Sequence, residues 1–164
     1  MNTQNSDTSS ERAVTTREGE PRELGPRISS YRARVVVADD DADIRTLLAV
    51  ALRREGYEVV EAATGAELLE IVGDWLLFCD GPRPDAVISD IRMPGFSGTT
   101  VLGGLRATDK TIPFLLMTAF GSEQLEEYAR EMGADGFYRK PFDVFEMVAT
   151  LSALLSRGRV DPVS

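Results

Sequence analysis

From Arg34 onward the sequence alternates, five times, between a short apolar run and a segment of helical length. The runs fall at 35–38, 58–60, 86–88, 113–117 and 136–138, and the segments between them repeat their apolar side chains at helical spacing. No other feature constrains the fold as strongly. Strands that follow one another through helices run parallel, their crossovers are right-handed, and the sheet must be covered on both faces. The expectation is an α/β fold, a doubly wound five-stranded parallel sheet of order 2-1-3-4-5 with five helices. The first helix carries Ile44, Leu47, Leu48 and Ala51 at core spacing and stops near Gly56. The second opens on Thr64 with Glu67 three residues on, and a short third follows Gly98. A fourth runs from about Ser122 to Met132 ahead of Gly133, and a fifth starts after Asp143 with Glu146 in capping-box position.

Four of the runs close on polar residues: Asp39 and Asp40 after the first, Asp90 after the third, Thr118 after the fourth and Lys140 after the fifth. With strands 1 and 3 adjacent at the switch point, these side chains gather at one carboxyl edge, where open α/β sheets bind ligands. Carboxylates crowded together repel unless a hard cation neutralises them, and oxygen donors without a neighbouring His or Cys point to magnesium. A carboxylate beside such a cation can attack a phosphoryl group and form an acyl phosphate, with a positioned Lys offsetting charge on the equatorial oxygens. Asp90 is the best nucleophile, being the single carboxylate at its strand end and followed by the turn formers Pro94 and Gly95. Asp39 and Asp40 would then hold the metal. Taken singly, each of these residues also reads as a helix cap, a turn residue or a solvated charge. Lys140 is more telling, since the chain has only Lys110 and Lys140 against sixteen Arg.

Composition narrows the function further. At 164 residues with 43% apolar content, the chain suits one domain with a real core. No stretch is long and apolar enough for a membrane span or a secretory signal, so a cytoplasmic protein is expected. Histidine is absent, which removes the commonest general base, every His-dependent triad and zinc hydrolase chemistry. The net charge of -9, with no basic stripe, disfavours direct nucleic-acid contact or an anionic membrane and favours a protein partner. Cys79 stands alone and reads as a small buried hydrophobe. Residues 1–33 read as a disordered polar tail, its five Arg balanced by five acidic residues, followed by a folded domain at 34–157 and a short C-terminal tail at 158–164. On that layout no second output domain is expected.

Residues 34 to about 156 closely resemble the receiver domain of two-component response regulators, through VVVADDDADIR, SDIRMPGFSG, MTAF and KPF in the family's order. The resemblance implies a flavodoxin-like fold and a phosphoacceptor, Asp90, that takes its phosphoryl group from a phosphohistidine on a partner histidine kinase or phosphotransfer protein. It implies Mg2+ held by Asp40, Asp90 and the backbone carbonyl of Arg92, with Asp39 assisting largely through water. Thr118 would hydrogen-bond the acquired phosphoryl group and Lys140 would pair with it, while Phe137, three residues before Lys140, would act as the switch aromatic. Lys140-Pro141 would be a cis peptide, and small Ala119 would leave the site accessible. Such a chain catalyses only its own phosphorylation and dephosphorylation, and signals by conformational switching to a downstream protein target; a phosphorylation-dependent homodimer is compatible with this.

Three features depart from the family pattern. The stretch from Leu76 to Pro84, with Trp75 before it, is long and suggests an extra helical turn or a loop. Arg92 and Phe120 occupy positions that tune phosphoryl lifetime in the family, and a bulky Phe120 would shield an acyl phosphate from water. The polar tail is the third. Alternative readings are a phosphorylation-independent receiver acting as a binding module, a receiver fragment of a longer regulator, and a phosphatase of the haloacid dehalogenase type. The last requires a second Asp two places after the nucleophile, where this chain has Arg92.

Overall fold

The computed structural model describes residues 31–78 and 81–158. Most of the expected N-terminal tail, Cys79 and residues 159–164 therefore lie outside the described residues. In chain order the elements are β1 (Arg34–Ala38), α1 (Ala42–Arg54), β2 (Glu58–Ala62), α2 (Gly65–Phe78), β3 (Ala86–Asp90), α3 (Gly98–Thr108), β4 (Phe114–Thr118), α4 (Glu123–Glu131), β5 (Gly136–Arg139) and α5 (Val144–Arg157). All strand pairs are parallel, as the alternation predicts, and the order is the expected β2-β1-β3-β4-β5.

Alternate strand residues feed two cores. Val36, Ala38, Val87 and Leu116 pack with Leu68 and Val72 of α2 and Leu102 and Leu105 of α3. Val35, Val37, Ile88, Leu115 and Met117 pack on the opposite face with Leu48 and Leu52 of α1 and Met147 and Leu151 of α5. Every residue of β3 and β4 is buried, and both strands are apolar until their carboxyl ends, where Ser89, Asp90 and Thr118 enter. The outer strands β2 and β5 carry Glu58, Glu61 and Arg139 instead, which also guards their open edges against further pairing.

Side-chain caps set the helix starts. Asp41 accepts from the Asp43 and Ile44 amides, Ser97 from Thr100, Ser122 from Leu125, and Asp143 from Phe145 and Glu146. Ahead of α2, Thr64 Oγ1 accepts from Glu67 N at 3.1 Å, while Glu67 reaches back to the Ala63 amide at 2.7 Å, one residue earlier than a reciprocal box would have it. Gly56 and Gly133 end α1 and α4 with φ of 86° and 95°, a conformation open to glycine at little cost.

One expected core position is corrected. Leu47 is 55% exposed, and the buried residues of α1 are Leu48, Ala49 and Leu52. The sheet covers only part of the apolar arc of α1. Leu47 and Val50 turn instead toward α5, into an open groove of about 700 Å³ shared with Phe145 and Val148.

Of the long segment from Leu76 to Pro84, the first part is helix, since α2 continues to Phe78, and 81–84 are non-helical. Trp75 packs against the α2–α3 core, and the Arg83 guanidinium lies 5.3 Å over its ring while bonding Asp109 and Thr111 at 3.0 Å each. Burial acts to raise the Asp109 carboxyl, but hydrogen bonds from Thr111, Arg83 and Ile112 outweigh it and hold the pKa at about 2. This corner ties the end of α2 to the loop before β4. No helix among the described residues is long and apolar enough to cross a membrane.

Candidate functional site

Register sets the site. Ala38 pairs with Ser89 and Asp90 with Met117, so the residues that leave β1 and β3 emerge side by side. Thr118 ends β4 opposite Arg139, and Lys140 follows directly. The Lys140 ammonium, 101 residues along the chain from Asp39, donates to Asp39 Oδ2 at 2.7 Å and lies 3.2 Å from Asp90 Oδ1.

The carboxylates differ in how they are held. Asp39 is wholly buried, and its other oxygen accepts from the Asp41 amide at 2.9 Å. Asp90 is 5% exposed, and its backbone carbonyl accepts from Ser89 Oγ at 2.8 Å. Asp40 is exposed, and among the described residues its carboxylate has no hydrogen-bond partner. One oxygen from each of the three lies within 4.8 Å of the others, a spacing that costs about 3 kcal/mol per ionised pair at an effective dielectric of ~20.

Burial raises the Asp90 pKa; Lys140 pulls it down, but the charges of Asp39 and Asp40 add to the rise. For Lys140, burial favours loss of the proton, yet the bond to Asp39 and the charge of Asp90 outweigh it and raise the pKa. Three carboxylates facing one ammonium leave an excess of negative charge in an all-oxygen donor set. That is the chemistry a small divalent cation such as Mg2+ fits.

Thr118 is 1% exposed; its hydroxyl accepts from the Phe120 amide at 3.1 Å and its carbonyl from the Lys140 amide at 2.9 Å. An open pocket of about 540 Å³ joins Asp40, Asp90, Thr118, Ala119 and Lys140. Arg92 and Phe120 close one side of it, the guanidinium standing 4.9 Å over the ring and bridging the loops after β3 and β4. Phe137 does not reach this pocket. It is half-buried on β5, paired in register with Leu116 and packed with Leu125, Met132 and Ala134 against the α4 side of the core. The Lys140-Pro141 peptide is cis.

Two supports were not foreseen from the sequence. Gly65 and Gly98 let the loop after Asp90 lie directly against neighbouring backbone: a Cβ on Gly98 would overlap the Asp90 carbonyl oxygen, and one on Gly65 the Phe96 carbonyl oxygen. Arg45 donates to the Asp39 carbonyl at 2.7 Å. Its one sequence signal is a cation in the second turn of α1, close to the helix end whose dipole disfavours it.

Known proteins resemble this chain in both sequence and fold. Residues 35–152 match the family model for the response regulator receiver domain. The transcriptional regulatory protein PrrA of Mycobacterium tuberculosis is 40% identical over 124 residues, covering 76% of this chain and 50% of PrrA, so the chain spans about half the length of that relative. Sporulation initiation phosphotransferase F of Bacillus subtilis is 33% identical over 114 residues, covering 70% of this chain and 86% of that protein. Among solved structures, the response regulator TrrA from Thermotoga maritima, in complex with Mg2+ and BeF, has a TM-score of 0.61 at 35% identity, covering 74% of this chain and 98% of that one.

Proposed function

The chain belongs to the response regulator receiver family, and from that premise we propose that it is a phosphoacceptor switch, phosphorylated on Asp90 by a phosphohistidine of a partner histidine kinase or phosphotransfer protein. The observation that carries this reading is the Lys140 ammonium held against both Asp39 and Asp90 where the three carboxylates converge. Receiver domains are signalling domains, not enzymes of turnover, and the chemistry needed is one transfer to the chain itself.

A carboxylate oxygen of Asp90 attacks the phosphorus, the P–N bond breaks, and the imidazole leaves on the partner. Asp40, Asp90 and the Arg92 carbonyl would hold Mg2+, with Asp39 assisting through water; when bound, the ion offsets charge on the phosphoryl oxygens. Lys140 exchanges part of its contact with Asp90 for the new phosphoryl group. The Thr118 hydroxyl turns from the Phe120 amide to donate to a phosphoryl oxygen, which draws the loop after β4 inward and shifts an inactive-to-active equilibrium. Phe137, beside β4, follows into the space released. The unit that switches is 34–157, in the cytoplasm, and its output is contact with a downstream protein.

Intact-mass spectrometry after incubation with acetyl phosphate and Mg2+ tests the reading. Wild type should gain one phosphoryl group in a magnesium-dependent manner and Asp90→Asn should gain none. A folded wild type that stays unmodified with acetyl phosphate and also with a phosphohistidine donor would point instead to a phosphorylation-independent binding module.

The Arg92–Phe120 stack bears on lifetime. A bulky ring at the mouth shields the acyl phosphate from water, so Phe120→Ala should speed dephosphorylation several-fold, on the order of 1 kcal/mol of barrier. An unchanged decay rate in a phosphate-release assay would remove that role.

A further inference from the structure

We propose that Arg45 is a positioning residue for the metal-binding loop: aimed by Glu61, its guanidinium fixes the Asp39–Asp40 peptide and thereby the direction of the Asp40 carboxylate. The inference rests on reading the acidic edge as a Mg2+ site, and it concerns residues outside the acidic set itself.

Asp39 is held from every side. Its amide donates to the Ala62 carbonyl at 3.1 Å, and its carboxylate oxygens are taken by the Asp41 amide and by Lys140. Asp40 has no such restraint on its side chain, as described above. What orients it is the backbone, and the peptide that joins it to Asp39 has its carbonyl oxygen bound by Arg45 Nη1 at 2.7 Å. A planar peptide turns as a unit, so a fixed carbonyl fixes the Asp40 amide and the departure of its Cα.

Arg45 is itself restrained. Its side chain is 18% exposed, and Nε lies 3.4 Å from Glu61 Oε2. Glu61, in register with Val37 on edge strand β2, is braced from the other side by Arg53 at 3.0 Å. A guanidinium can bond a carbonyl through one nitrogen and a carboxylate through another, which an ammonium does less well. The chain of contacts runs from β2 through Glu61 and Arg45 to the β1–α1 loop, and partners of this kind are what set ligand direction at metal sites.

A merely electrostatic role predicts the opposite result from a positioning one. Arg45→Gln removes a positive charge near a cation site, so simple Coulomb attraction would tighten Mg2+ binding. Loss of positioning loosens it, by roughly tenfold on the scale of other metal-site supporting partners. Calorimetric titration of the whole chain with MgCl2 at fixed ionic strength reads this directly, alongside thermal unfolding without Mg2+. We expect Arg45→Gln to bind Mg2+ roughly tenfold more weakly and Arg45→Lys to recover part of the loss. Glu61→Gln should weaken binding by a smaller factor, and the double variant should bind no more weakly than Arg45→Gln alone, because Glu61 acts through Arg45.

Mg2+ affinity unchanged or increased in Arg45→Gln, with only the unfolding temperature lowered, would overturn the proposal. If Arg45→Gln fails to fold, Arg45→Lys and Glu61→Gln decide it, wild-type affinity in both again overturning it. A wild type that binds no Mg2+ would sink the reading of the site itself, a separate outcome from a wild type that binds and a variant that binds equally well.

Discussion

Lys140→Met should lower stability by about 3–5 kcal/mol at neutral pH, because it leaves a wholly buried carboxylate, Asp39, without its cation. The Lys140 side chain is 14% exposed, so solvent does little to screen the change. The loss should also depend on pH. The folded pKa of Asp90 is already raised, and a raised acid contributes stability while protonated, a contribution lost as pH rises through the folded value. Lys140 opposes that rise in the wild type. Without it, repulsion among Asp39, Asp40 and Asp90 is unrelieved, so the deficit should be greatest near neutrality and shrink as pH falls toward the ordinary carboxylate range near ~4. Mg2+ should restore part of it. Urea unfolding at several pH values, with and without MgCl2, gives the answer; a deficit of the same size at every pH would assign the effect to lost packing of the lysine stem.

Gly65→Ala is the second large effect. The added methyl would lie inside contact distance of the Phe96 carbonyl and 2.8 Å from the Phe96 amide nitrogen, both backbone atoms with little freedom to retreat. Gly65 also donates its amide to the Pro94 carbonyl at 2.9 Å, so α2 starts directly on the loop that follows Asp90. We expect a loss of about 3 kcal/mol, at the upper end for overpacking, together with slower phosphorylation as the Arg92–Ser97 loop is displaced. Gly73→Ala in the same helix supplies the contrast. Nothing lies within 4 Å of its Cβ position, and that variant should gain about 0.5–1 kcal/mol from helix propensity. Similar unfolding midpoints for the two variants would sink the argument.

The two variants also mark what could be seen in advance. The alternation of apolar runs and helical segments announced the sheet, because strands covered on both faces stay apolar up to the carboxyl ends that form the site, and the expected run at 113–117 differs from β4 (Phe114–Thr118) by one residue. The gathering of Asp39, Asp40, Asp90, Thr118 and Lys140 followed from strand order alone. Leu47 was misjudged because helical spacing defines an apolar arc and not which part of it the sheet will cover. Gly65 and Arg45 were missed for a related reason. Each matters through contact with backbone carbonyls remote in sequence, at Phe96 and Asp39, and no periodicity encodes such a contact. The stacking of Arg92 on Phe120 belongs to the same class, joining two loops that meet only after β3 and β4 have paired.

The position of β5 also sets the charge balance of the acidic edge. Among the described residues it is the last strand in sequence and lies at the sheet's outer edge, yet Lys140, directly after it, is the one ammonium that Asp39 and Asp90 share. Without β5 in place, β1 and β3 would hold Asp39, Asp40 and Asp90 together with no ammonium among them. Docking the final strand both relieves the charge and completes the receptive pocket. The charge compensation of the site thus rests on one of the sheet's two edges, on a strand held by a single neighbour.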